Sequence, residues 1–166
     1  MITTTCSMES EVYSSCSEDE THAVAAHFAS RLEKGDIVTL SGDLGAGKTE
    51  FVRGICNYFD VEDIVSSPTF SIINVYTGRF RSGDAVRIVH VDLYRLKSKD
   101  ELKTIGLEEW LALPDAIKLI EWPEKANGFL SQQHYHVEIR TLPGLEDRRK
   151  ICISVVNAPC LGHVQK

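Results

Sequence analysis

Long apolar runs are missing from the 166-residue chain: none approaches the roughly 18 residues that cross a bilayer, so no membrane-spanning helix is expected. Patterned cysteine is missing as well. The five cysteines, Cys6, Cys16, Cys56, Cys152 and Cys160, form no CxxC pair and are odd in number, which argues against both a disulfide framework and a zinc site and fits a reducing compartment. Basic excess is also lacking. Lys and Arg total 18 against 24 Asp and Glu, a formal charge of −6, whereas a protein that grips nucleic acid by itself carries a basic stripe. Any nucleic-acid role is therefore expected to run through a partner. The opening MITTTCSMESEVYSSCS has neither the basic start nor the apolar stretch of a secretory signal, and the expected location is the cytoplasm. No internal repeat is visible.

What remains is an ordinary soluble composition, 43% hydrophobic and 25% charged, in a length that suits one domain of about 100–200 residues. That domain is expected over residues 11–157, between a Thr/Ser-rich tail at 1–10 and a tail at 158–166. EVYSSCS reads as a first strand. Ser17 and Glu20 form a capping box that starts a helix, whose buried stripe is Val24, Phe28 and Leu32 and whose end is set by Gly35. IVTLS is a strand, and Phe51, Val52, Ile55 and Phe59 recur at helical spacing after it. The β-branched runs at 70–76 and 85–94 are expected to pair antiparallel around TGRFRSGD, and residues 99–113 alternate charge and leucine as a helix does. IKLIE, 117–121, is a short buried strand stopped at Trp122-Pro123; HYHVEIRTL and RRKICISVV are strands around LPGLED.

Between the strand IVTLS and the next helix lies GDLGAGKT, which matches GxxxxGK[ST] position by position. Glycines at Gly42, Gly45 and Gly47 let successive N–H groups approach phosphate oxygens with no Cβ in the way, and the following helix adds its positive end. Lys48 is placed to bridge the β- and γ-phosphates, and the Thr49 hydroxyl to hold magnesium. The expected fold is accordingly α/β: the three-layer fold of P-loop NTPases, with a mixed, mostly parallel central sheet flanked by helices.

Further magnesium ligands or water-ordering groups come in such folds from acids at the carboxyl ends of neighbouring strands. Asp92 and Glu121 both end apolar strands, and alternation puts Val86, Ile88, His90 and Asp92 on one face. Each acid has a plainer reading: Asp92 as a strand-end acid turned to solvent, Glu121 as an acid favouring the start of a helix before Pro123. Ser66-Ser67-Pro68-Thr69-Phe70 lies where P-loop switch proteins keep a hydroxyl that senses the γ-phosphate, although loops of Ser and Pro are common. Trp122 is either core or an aromatic wall near the nucleotide. Arg148-Arg149-Lys150 reads as a charged strand start from which one side chain could reach phosphate or adenine, and His134 and His136 read as the solvent face of a half-exposed strand.

GDLGAGKT, SPTF, HVDLYRL, ELKTIGLEEWL and LIEWPEK, in that order, resemble the TsaE (YjeE) family across residues 17–125, with a looser fit through Arg148 and Arg149. The resemblance implies an ATPase required for threonylcarbamoyladenosine in tRNAs that read codons beginning with adenine, working with the TsaB–TsaD heterodimer and reaching tRNA only through that complex. It implies ATP and Mg2+ as ligands, with Gly42, Leu44, Gly45, Ala46, Gly47, Lys48 and Thr49 on the phosphates and Thr49, Glu121 and Asp92 at the metal. It further implies Thr69 as the switch hydroxyl, Trp122 and Arg148 beside the nucleotide, and Lys48, Asp92 and Glu121 as the catalytic set. Position 50 departs from the family, holding Glu50 where a second small hydroxyl residue is common. Two other readings stay open: a small-metabolite P-loop kinase, for which no lid insertion is evident, and a nucleotide-gated binding module with incidental hydrolysis. A GTPase fits less well, since no NKxD motif occurs.

Overall fold

The apolar runs become the middle of one sheet and the more polar ones its margins. The structure, a computed structural model, describes residues 10–68, 70–126 and 128–157. Thr69 and the tail readings at 1–9 and 158–166 lie outside the described residues. The seven strands are β1 (Glu11–Ser15), β2 (Ile37–Ser41), β3 (Ile73–Arg79), β4 (Ala85–Asp92), β5 (Ala116–Glu121), β6 (His134–Leu142) and β7 (Leu145–Val156), and their order is β1-β7-β6-β2-β5-β4-β3. β6, β2, β5 and β4 run parallel, and β3, β7 and β1 add antiparallel margins. The sheet is thus mixed, and parallel where it is central, as the motif order predicts.

Alternation along the central strands feeds two cores. Val38, Leu40, Ile88 and Leu119 meet Phe28 and Phe51 of helices α1 (Glu18–Ala29) and α2 (Lys48–Tyr58) on one face. Ile37, Val89, Val91 and Ile120 meet Leu102 and Leu107 of the short helices α3 (Lys99–Thr104) and α4 (Leu107–Leu111) on the other. β5 lies between both layers and is buried at every residue, which is why IKLIE reads as a nearly continuous apolar run. Its one cation, Lys118, donates to the carbonyls of Gly35 (2.7 Å) and Leu113 (2.8 Å), and burial pushes its pKa down. No helix among the described residues is long and apolar enough to cross a membrane.

Several local expectations shift. Ser17 caps α1 by accepting from the N–H of Glu20 (3.1 Å), but the Glu20 carboxylate reaches one residue further back, to the N–H of Cys16 (2.6 Å). The helix ends at Ala29, well before Gly35, because tight turns from Arg31 to Phe28 and from Leu32 to Ala29 carry Leu32 into the core. Gly35 instead turns the chain into β2 at φ +96°. Val24 is half-buried, and Thr21 and Ala25 take the inward positions with Phe28. The helix expected over 99–113 is two helices, broken at Gly106, whose φ of +67° an α-helix cannot accommodate. β3 runs on through Thr77, Gly78 and Arg79, so the hairpin loop is shorter than TGRFRSGD.

α1 and α2 approach closely at Gly54, where an added Cβ would lie 2.6 Å from the Ala25 Cβ and 2.9 Å from the His22 Cα. Gly54→Ala gains about 1 kcal/mol of helix propensity but forces backbone apart, an overpacking cost of about 1–3 kcal/mol. The expected net effect is a loss of up to about 2 kcal/mol, read as a lower urea midpoint; a raised midpoint would contradict this close packing.

Candidate active site

The loop between β2 and α2 gains its shape from three glycines with different reasons. At Gly42, φ is +143° and a Cβ would lie 2.2 Å from the Ile139 carbonyl oxygen, so the backbone of β6 excludes any side chain. At Gly45 and Gly47, φ is +79° and +106° with open space where a Cβ would be, and the constraint is the backbone conformation itself. Gly47 is the N-cap of α2 and supplies no side-chain acceptor to the first N–H groups of the helix.

Lys48, only 4% exposed, folds back and donates to the carbonyls of Gly42 (2.6 Å) and Asp43 (2.8 Å), with its ammonium 4.0 Å from the centre of the Trp122 ring. Burial pushes its pKa down, and the nearby carboxylates, Glu121 first and then Asp92, Glu124 and Asp43, push the other way. Trp122 sits at φ +61°, a strained conformation for an aromatic residue, where the chain leaves β5. Its N–H donates to the Leu40 carbonyl, and its ring stacks at 4.9 Å on Tyr94. It is therefore both wall and partial core.

The parallel register of β4 and β5 sets Asp92 beside Glu121. Glu121 is buried, and its Oε1 accepts from the Thr49 hydroxyl at 3.1 Å and lies 2.9 Å from Nε2 of His90. Asp92 accepts from the Ser67 hydroxyl (2.7 Å) and the Tyr94 N–H (2.9 Å), which ties the SSPTF loop to the strand end. Lys48, Thr49, Asp92, Glu121 and Trp122, with Leu44 and Gly45, line one cavity of about 470 Å³.

The structure thus brings the P-loop, both strand-end acids and Trp122 together. Arg148 is placed elsewhere, in a shallow hollow at the β6–β7 turn beside Gly144. Its neighbour Arg149 instead donates to the Ala46 carbonyl at 3.0 Å and closes on the loop from outside. Arg95 lines the cavity too and stacks over Phe70 at 5.0 Å. His134 and His136 lie on the half-exposed face of β6 as expected, with Val137 and Ile139 buried opposite, but His136 is engaged there: its ring nitrogens contact the hydroxyls of Thr39 (2.8 Å) and Ser41 (3.1 Å), and burial pushes its pKa down. Glu50 pairs with His22 of α1 at 3.0 Å and also with Arg53, which donates to the Val65 carbonyl (2.8 Å).

Comparison with known proteins agrees with this architecture. A family model described as threonylcarbamoyl adenosine biosynthesis protein TsaE matches residues 15–151. The tRNA threonylcarbamoyladenosine biosynthesis protein TsaE of Rickettsia bellii is 41% identical over 138 residues, covering 82% of this chain and 88% of its own. That of Bacillus subtilis is 34% identical over 138 residues, covering 83% and 81%. The crystal structure of YdiB from Bacillus subtilis superposes with a TM-score of 0.71 at 28% identity, over 90% of this chain and 88% of that one. With the P-loop, its two acids and this match over most of its length, the chain belongs to the TsaE family of threonylcarbamoyladenosine biosynthesis proteins.

Proposed function

We propose that the protein is a Mg2+-dependent ATPase of the cytoplasm that supports threonylcarbamoyladenosine modification of tRNA together with a TsaB–TsaD pair. The observation that carries the enzymatic part is the gathering of Thr49, Asp92 and Glu121 at the uncapped start of α2, beside a buried lysine held by two carbonyls and a ring. Such a lysine is stored ready for exchange: a triphosphate offers full charges where the carbonyls of Gly42 and Asp43 offer dipoles.

A hydroxyl and two carboxylates form an all-oxygen donor set, which suits magnesium with its preference for one or two carboxylates plus phosphate oxygens. No cluster of three or more His, Cys, Asp or Glu groups among the described residues offers a different metal site. Thr49, Glu121 and Asp92 would hold the ion, which when bound neutralises charge on the phosphates. The chain's own part is then to bind the phosphates on the loop N–H groups and Lys48, to order water through the two acids, and to wall the site with Trp122. The charge of −6 supports docking on a protein, with tRNA reached through the partners.

P-loop enzymes gain roughly 10³–10⁵ in rate from an arginine supplied in trans. Hydrolysis by the protein alone is accordingly expected to be slow and to rise at least ~10-fold with a TsaB–TsaD pair. Steady-state ATPase assays with and without the pair test this, and equal rates would overturn the partner-stimulated reading.

A further inference from the structure

Among the described residues, one buried side-chain polar atom has no partner, and it is Nδ1 of His90. His90 is fully buried in β4, two positions before Asp92, and an imidazole there with one nitrogen orphaned costs stability that an apolar side chain would not. Its packing therefore does not account for it. Its other nitrogen does something specific: Nε2 lies 2.9 Å from Oε1 of Glu121, the same oxygen that takes the Thr49 hydroxyl at 3.1 Å. With Nε2–H as donor, two donors from different elements converge on one carboxylate oxygen. Among the described residues Oε2 has no donor, is not one of the buried orphans, and belongs to a side chain that lines the cavity.

We propose that His90 is a positioning residue that locks the Glu121 carboxylate with Oε1 held below and Oε2 presented to the cavity, presetting it as a ligand for a divalent cation. This rests on the Mg2+–ATP reading of the site. Without His90 the carboxylate is held at one point only, by Thr49, and must be ordered when the cation arrives. Partners that orient a ligand in this way typically change metal affinity by about 10–100-fold when removed.

The test titrates Mg2+ calorimetrically into the full chain saturated with a non-hydrolysable ATP analogue, and separately measures affinity for that analogue in EDTA. His90→Leu is expected to weaken Mg2+ binding by about 10–100-fold while the metal-free nucleotide affinity stays within about 2-fold. His90→Gln, whose amide N–H falls near the place of Nε2, is expected to restore Mg2+ binding to within about 3-fold of the parent. Leu and Gln variants that bind Mg2+ equally, whether both normal or both weak, overturn the proposal, as does a Leu variant that loses metal-free nucleotide binding in parallel. Should the Leu variant fail to fold, His90→Asn replaces it, since its amide lies at the level of Nδ1 and is expected to bind Mg2+ as weakly; Asn equal to Gln overturns the proposal. If the parent protein with the analogue takes up no Mg2+, the reading of the site itself fails, a result distinct from any difference among variants.

Discussion

Lys48→Ala is expected to weaken ATP binding by about 10²–10³-fold, a loss of about 3–4 kcal/mol, because hydrogen bonds from a buried cation to phosphate are charge-assisted on both sides. The ammonium is already largely withdrawn from water: the residue is 4% exposed, and its contacts are two loop carbonyls and the Trp122 ring. Most of its desolvation cost is therefore met in the free protein, so its transfer to a triphosphate is a net gain of charge complementarity. The substitution also leaves the carbonyls of Gly42 and Asp43 without their donor, which loosens the loop. Lys48→Met keeps the stem but, like Ala, gives those carbonyls no donor: both variants should lose ATP affinity, and only Ala should lose the packing of the stem as well. Calorimetric titration with ATP decides it, and Lys48→Ala binding within about 3-fold of the parent would show that the phosphates go elsewhere. Trp122 fluorescence gives a second reading, since nucleotide that draws the ammonium away from the ring changes the indole's surroundings.

What could be read beforehand and what could not divide along a physical line. The phosphate loop was legible because its chemistry is local: glycines, lysine and threonine at fixed spacing need no knowledge of the rest of the chain. Asp92 and Glu121 were legible as strand ends, and alternation in HVD already put His90 on the face of Asp92. Its contact with Glu121 was hidden, because that depends on the parallel register of β4 against β5, set by packing across 31 positions of sequence. Arg148 and Arg149 show the same limit at finer scale. Adjacent strand residues point to opposite faces, so an error of one residue exchanges the arginine that touches the loop for one that does not. The single helix expected over 99–113 failed differently: helical spacing persists across Gly106, but a backbone at φ +67° resets the direction of the chain without disturbing the pattern.

Glu50 looked like a plain departure from the family and is more than that. Its carboxylate joins His22 on α1, 28 residues away, to Arg53 on α2, and Arg53 in turn holds the Val65 carbonyl ahead of the SSPTF loop. A small hydroxyl residue at this position could not span that distance. The loop that meets Asp92 through Ser67 is thus anchored in this chain at a second point, beside the start of α2.

Glu121→Gln is expected to lower the rate of ATP hydrolysis by about 10²–10⁴-fold while changing metal-free nucleotide affinity by less than about 3-fold. The amide keeps the shape of the carboxylate, and its oxygen still accepts from the Thr49 hydroxyl and from His90 through Nε2, so the end of β5 and the wall at Trp122 should stay in place. What is lost is negative charge at Oε2, the oxygen left for the cavity, and with it the capacity to take a proton from ordered water or to serve as an anionic ligand. Removing an acid from beside the phosphates offsets part of that on the binding side, because Glu121 repels the triphosphate even as it supports the charge of Lys48. The two effects separate cleanly only if Glu121 acts on the chemistry, which single-turnover hydrolysis and calorimetric affinity measured on the same preparation would show. A variant that loses affinity and rate in equal measure would instead place Glu121 among the groups that bind nucleotide and never reach the reacting atoms.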